Sequence, residues 1–296
     1  MRGTLYPRSS SLLLAAIVLL SAGCRSKDTA PKTDHPRVTA TVALRDIAFQ
    51  SASLNRAMQY RVIQPVTVKE GQRLPVVYLL HGSGGEFRDW SNDSDVAHFA
   101  ETGLILVMPE GAGSYYTNAV EPPQDRYEDY IVKDLIAEVE AQLPAATGRS
   151  NRAIVGISMG GFGAVKLGLR HPDLFAFVGG ISSAIDVPRR AFTIKRLQQS
   201  RHYESIFSPS GSRTRRDNDP FALARTTNPD VAPYFFLTCG EQEGLLPPNR
   251  EFAALLAQRH FQFEFHTVAG HHDWNQWNAW LPALFQSLSA HIKPKA

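Results

Sequence analysis

The chain has 296 residues, 43% of them hydrophobic and 20% charged, and a formal charge of +3. That composition supports one large domain or two small ones with a full apolar core. Without its first 23 residues, which carry Arg2 and Arg8, the charge falls to +1, so there is no electrostatic case for a nucleic-acid partner.

Arg2 and Arg8 precede the apolar run 12–20, which is followed by Ser21, Ala22, Gly23 and Cys24. The run is short for a membrane span and suits a secretory signal. The small residues ending at Cys24 are similar to a lipobox. Residues 1–23 are therefore expected to be a lipoprotein signal peptide. Cys24 would be the lipidated N-terminus of an exported protein anchored in the bacterial cell envelope, with the outer membrane as a weaker expectation; the alternative is an ordinary signal with a chance cysteine. Residues 24–37 are polar, include Pro31 and Pro36, and read as a flexible tether. Cys239 is the one other cysteine. It lies in an apolar stretch and is expected to be buried and inert, and no cysteine framework for a disulfide or metal is available.

The folded domain is expected over 38–293. Residues 38–49 and 60–68 read as two antiparallel edge strands, and 74–81 and 103–108 as buried strands. Residues 129–142 form an amphipathic helix pattern, with Ile131, Leu135, Ile136, Val139 and Leu143 on one face. Strand 153–157, helix 161–170, strands 176–181 and 234–239, helix 249–259, strand 261–268 and a helix from about 274 follow. This alternation predicts an α/β fold with a mostly parallel central sheet and helices on both faces. Residues 182–231 break the alternation and read as a small cap insertion, with 209–218 as its most irregular part. Within it, Arg213, Arg215 and Arg216 face Asp217 and Asp219 and read as a solvated loop.

The strand 153–157 runs into Gly156-Ile157-Ser158-Met159-Gly160, and a small-residue helix pattern follows. G-x-S-x-G between a strand and a helix is the pattern of a nucleophile elbow, in which flanking glycines let a tight turn lift the serine clear of the sheet. A serine hydroxyl needs a base, and the base needs an acid that fixes its tautomer. In this architecture the acid follows a late strand and the histidine follows the last one. His271 and His272 compete for the base, Glu241 and Glu243 for the acid. Two carboxylates in one loop with no third ligand nearby do not make a metal site, and a glycosidase pair is disfavoured too. An oxyanion hole needs two backbone donors. Met159 N–H is one, and the loop 81–85 after the strand 74–81 holds the other, expected at Ser83 with Gly84 as the fallback.

Motifs along nearly the whole of the chain beyond residue 50 resemble the esterase D family of α/β-hydrolases. They comprise 53–62, the Leu79 to Gly85 loop with Trp90, Tyr127 to Tyr130 with Asp134 and Leu135, Gly156 to Ala164, Asp219 to Phe221, Cys239 to Leu246 and Gly270 to Trp274. The family includes S-formylglutathione hydrolases, tributyrin, feruloyl and acetylxylan esterases, siderophore esterases and mycolyltransferases. The resemblance implies an α/β-hydrolase fold and a triad of Ser158, His272 and Glu243. Glutamate at 243 departs from the family's usual aspartate. It implies no metal and no organic cofactor. Trp90, His81, Gly84 and Leu245 are expected to line the substrate pocket. The expected function is a serine carboxylesterase for short-acyl or aryl esters, including feruloyl or acetyl groups on polysaccharide. The alternatives are acyl transfer to a sugar hydroxyl with the same triad, and a non-enzymatic envelope binding protein. The expected partners are a small-molecule or polysaccharide ester and, through Cys24, a membrane.

Overall fold

A computed structural model describes Met1 and residues 33–292 of the chain. The expected signal peptide beyond Met1, the expected lipidation site Cys24 and most of the expected tether lie outside the described residues. The last tether positions belong to the domain instead. Asp34 pairs with Arg61 at 2.8 Å, and Arg37 N–H donates to Ser91 O at 2.8 Å, so the folded unit starts at Asp34 rather than at 38.

Eight strands form one sheet: β1 (Val42–Ser51), β2 (Arg56–Pro65), β3 (Val76–Leu80), β4 (Ile105–Pro109), β5 (Arg152–Ile157), β6 (Phe177–Ile181), β7 (Tyr234–Gly240) and β8 (Phe263–Val268). Their order is β1-β2-β4-β3-β5-β6-β7-β8. β1 and β2 pair antiparallel, β2 runs antiparallel to β4, and β3 to β8 are parallel throughout. This is the mostly parallel α/β-hydrolase sheet read from the sequence.

The central strands are buried on both faces, so they read as continuous apolar runs. Their alternation splits the core in two. Val76, Tyr78 and Leu80 enter one cluster, Val77 and Leu79 the other. The helices are α1 (Asp89–Asp93), α2 (Ala97–Ala100), α3 (Tyr127–Asp129), α4 (Ile136–Gln142), α5 (Met159–Arg170), α6 (Leu197–Phe207), α7 (Arg213–Asp217), α8 (Pro220–Thr226), α9 (Leu246–Gln258) and α10 (Trp274–His291). α5 buries Phe162, Val165 and Leu169 on the first face, and α10 buries Trp277, Leu281, Leu284 and Leu288 on the second. The helix expected over 129–142 starts at Tyr127 and passes through a π-helical stretch, Tyr130–Leu135. All five residues of its predicted apolar face are buried.

The segment 182–231 is more ordered than its polar composition suggested. α7 and α8 have side-chain caps, Ser212 accepting from Arg215 N–H and Asp219 from Phe221 N–H. α8 lies against α5, and Phe221 meets Phe252 of α9 edge-on at 5.3 Å. The reading of Arg213 to Asp219 as a solvated loop is corrected. Arg213 and Asp217 do form an exposed pair at 3.4 Å. Arg215, however, is buried and donates to the carbonyls of Ser208 (2.8 Å), Pro188 (3.2 Å) and Arg190 (2.7 Å). A guanidinium with several donors can satisfy a turn of orphan carbonyls from the inside, which charge counting along the sequence does not reveal.

Candidate active site

The strand order reverses around β3: the chain moves to β4 on one side of it and later to β5 on the other. In open parallel sheets the crevice at the carboxyl ends of such strands is where ligands bind. The loops after β3, β5, β6, β7 and β8 carry the candidate residues to that edge.

Ser158 sits in the turn between β5 and α5 with φ 53° and ψ −111°, a left-handed conformation that costs energy for any residue with a side chain. Two glycines make the turn possible. A Cβ on Gly156 would overlap the backbone of Gly160, and one on Gly160 would overlap the carbonyl of Leu80. Met159 opens α5, so its N–H has no carbonyl one turn behind it inside the helix.

The structure brings Ser158, His272 and Glu243 into one line. His272 Nε2 lies 2.9 Å from Ser158 Oγ, and His272 Nδ1 lies 2.7 Å from Glu243 Oε2. His272 stands in the loop between β8 and α10, where Asp273 caps α10 by accepting from Gln276 N–H. Its ring meets the Trp277 ring edge-on at 5.0 Å. His271 is exposed, and Glu241 points to Thr267 at 3.4 Å.

Glu243 is buried. Its Oε1 accepts from Ser182 Oγ–H at 2.5 Å and from Gly240 N–H at 2.8 Å. Burial disfavours its charge, but the hydrogen bonds from His272, Ser182 and Gly240 outweigh that, and its pKa falls below the ordinary value. An ionised carboxylate only accepts, so Nδ1 carries the imidazole proton and Nε2 presents a lone pair to the serine hydroxyl. The reach of glutamate lets one oxygen fold back to Gly240 while the other meets the histidine. Cys239, next along β7, is fully buried, and burial followed by the nearby Glu243 charge pushes its thiol up to about 12. It is therefore an inert thiol at neutral pH.

The loop after β3 is braced from several sides. Gly82 O accepts from Gly85 N–H at 3.1 Å and from His81 Nδ1–H at 2.8 Å, while His81 Nε2 accepts from Gly111 N–H at 2.9 Å. Tyr116 Oη–H donates to His81 O at 3.1 Å. The turn closes without using Ser83 N–H. A Cβ on Gly82 would lie 3.5 Å from Ser158 Cβ, which puts this loop against the serine.

An open cleft of about 430 Å³ lies beside His272, lined by Glu243, Gly244, Leu245, Asp186, Arg190 and Arg196. Of the four residues expected at the pocket, Leu245 lines this cleft and the others do not. Trp90 is 1% exposed and packs edge-on against Trp274 at 5.4 Å, so it is a core residue. His81 is likewise buried and serves the loop described above. Gly84 is exposed at φ +74°, with open space where a side chain would stand. Sequence reasoning missed Ser182 and the arginines of the cleft. The one signal for Ser182 was its position directly after β6; Trp277 Nε1–H donates to its Oγ at 3.1 Å.

The family model described as "Putative esterase" matches residues 51–288 of the chain. The chain belongs to this esterase family. As an esterase it is an enzyme of carboxylic ester bonds. An acetyl esterase from Caldicellulosiruptor saccharolyticus is 24% identical over 263 residues, 84% of this chain and 98% of that one. The diacylglycerol acyltransferase/mycolyltransferase Ag85B of Mycobacterium avium is 31% identical over 125 residues, 39% of this chain and 38% of that one. Among solved structures, a ferulic acid esterase superposes with a TM-score of 0.72 at 22% identity, covering 86% of this chain and 99% of that one, a likeness of fold.

Proposed function

We propose that this esterase is a serine carboxylesterase that hydrolyses short-acyl or aryl esters through an acyl-enzyme on Ser158. The observation that carries the proposal is the single histidine placed between a serine at 2.9 Å and a buried carboxylate at 2.7 Å. Ser158 Oγ attacks the ester carbonyl while its proton passes to His272 Nε2, and Glu243 stabilises the imidazolium. Ser83 N–H and Met159 N–H receive the developing oxyanion. His272 then returns the proton to the departing alkoxide, leaving the acyl group on Ser158. Water enters, gives its proton to His272 and attacks the acyl carbonyl; collapse releases the acid, and the proton returns to Ser158 Oγ.

Relatives named as acetyl and feruloyl esterases support small acyl or aryl groups. Polysaccharide-linked esters fit the proposed location, the bacterial cell envelope, to which Cys24 would tie the chain by a lipid. Labelling with a fatty acid should mark the wild type and spare Cys24→Ala; soluble, unlabelled wild type would remove the anchor from the account.

A second reading is acyl transfer to a sugar hydroxyl, favoured by the stretch shared with mycolyltransferases. The two differ only in what attacks the acyl-enzyme. Hydrolysis of p-nitrophenyl acetate by wild type, Ser158→Ala and His272→Ala tests the shared chemistry. Each variant should lose about 10⁴- to 10⁶-fold in kcat. Product analysis with and without a sugar acceptor separates the two readings.

A further inference from the structure

Every residue from 191 to 199 is exposed, yet this stretch carries Phe192, Ile194 and Leu197 at 41%, 83% and 38% exposure. Most other large apolar side chains of the domain are inside the core, so packing does not account for these three. Cations surround them. Between 186 and 204 lie Arg189, Arg190, Lys195, Arg196 and Arg201 against Asp186 and Glu204. Arg190 is paired with Asp186 at 2.7 Å, and Arg189 with Glu251 at 2.9 Å. Lys195, Arg196 and Arg201 have no ion-pair partner among the described residues. Arg196 also lines the cleft beside His272. Apolar side chains on an exposed segment with unpaired cations among them are what an anionic lipid surface recognises: the apolar groups enter the headgroup boundary and the cations meet the lipid charge.

We infer that residues 191–199 dock the enzyme on an anionic lipid surface and so hold the mouth of the cleft against that surface. Charge complementarity selects this occupant over an uncharged apolar one. Continuity of Arg196 with the cleft gives the contact a use, since an ester with an apolar tail could pass from the surface to Ser158 without crossing bulk water. Lipid docking needs no turnover, so its failure would leave the esterase proposal standing.

The test is a local one, made on the full chain so that any attachment at the N-terminus is common to all samples. Ile194→Trp places a reporter in the segment. Val66→Trp places one at an exposed position after β2, at the opposite end of the sheet from the candidate active site. Emission is read as the difference from wild type, which has four tryptophans. Phosphatidylglycerol vesicles with brominated acyl chains should quench the reporter at 194 and spare the one at 66. Phosphatidylcholine vesicles should quench far less. Lys195→Gln with Arg201→Gln in the Ile194→Trp background should weaken quenching, about fivefold per cation, and so should high salt. Ile194→Ser should keep the wild-type kcat on soluble p-nitrophenyl acetate. Equal quenching at 194 and 66, or none at 194, would overturn the inference. So would self-association in the absence of lipid that disappears in Ile194→Ser, which would make a second copy the occupant.

Discussion

Ser182 Oγ lies 2.5 Å from Glu243 Oε1, on the carboxylate oxygen that does not face His272. Ser182 stands at the end of β6 with φ 47°, its N–H donating to Thr238 O at 2.7 Å. It holds the acid and touches neither Ser158 nor the cleft, so it is a positioning residue. A hydrogen bond to a charged group contributes about 1.5–3 kcal/mol. Ser182→Ala should therefore lower kcat by about tenfold or more with KM little changed. Because that bond helps depress the Glu243 pKa, the acid limb of the kcat profile should move to higher pH in Ser182→Ala. An unaltered profile with normal kcat would remove Ser182 from the site.

Glu243 and Glu241 were indistinguishable by residue type. Their surroundings now differ, one buried and three times hydrogen-bonded, the other exposed. Glu243→Gln should lose about 10³- to 10⁴-fold in kcat, because the amide no longer fixes the proton on Nδ1. Glu241→Gln should stay within about threefold of wild type. The comparison is made on p-nitrophenyl acetate at neutral pH, and equal losses would reassign the acid.

α5, the helix that follows Ser158, is anchored by a buried ion cluster. Lys166 Nζ donates to Glu128 Oε2 at 2.8 Å and to Tyr116 O at 2.7 Å, while Glu128 Oε1 takes Arg170 at 2.8 Å and His171 at 2.9 Å. Burial opposes the Glu128 charge, but Lys166, His171 and Arg170 together hold its pKa well below the ordinary 4.5. A carboxylate depressed in the folded state contributes stability that is full above its unfolded pKa. That contribution drains as pH falls from 4.5 toward the depressed value. Glu128→Gln should cost about 3–5 kcal/mol at neutral pH, since it leaves Lys166 buried without its counter-charge. The variant should also show a shallower loss of Tm below pH 4.5 than wild type does. Parallel Tm curves for the two proteins would contradict this.

Arg215 makes the cap segment a folded part of the molecule. Arg215→Ala removes donors from three carbonyls on two stretches, 188–190 and 208. A loss of about 2–3 kcal/mol is expected, read as a Tm drop of about 4–10 °C. KM should rise on bulky esters, because Arg190 lines the cleft. kcat on p-nitrophenyl acetate should stay within about tenfold, as for remote binding rather than chemistry. Collapse of that kcat in a folded variant would place a reacting group in the segment.

Much of this arrangement was legible in the residues. Continuous apolar runs and the switch to helical period located β3 to β7, because those strands are covered on both faces; β8, a half-buried edge strand with Glu264 and His266 in it, was placed by the alternation of elements. The elbow was readable because its geometry demands small residues at 156 and 160. Choosing His272 and Glu243 over their neighbours needed family resemblance, since a loop has no period to say which side chain turns inward. The π stretch at 130–135 was hidden because its buried face looks the same as that of an α-helix. The buried role of Arg215 and the core position of Trp90 were hidden for another reason: both depend on contacts between segments distant in sequence. Ser182 gave no signal beyond its place after a strand.

The account rests on an acyl-enzyme at Ser158, and rapid-quench mass spectrometry during p-nitrophenyl acetate turnover tests that most directly. Acid quenching in the pre-steady state should trap one acetyl group on the peptide that contains Ser158, formed in step with the burst of p-nitrophenol. Ser158→Ala should show neither burst nor adduct. A burst with the acetyl group on another residue, or turnover retained in Ser158→Ala, would contradict the account.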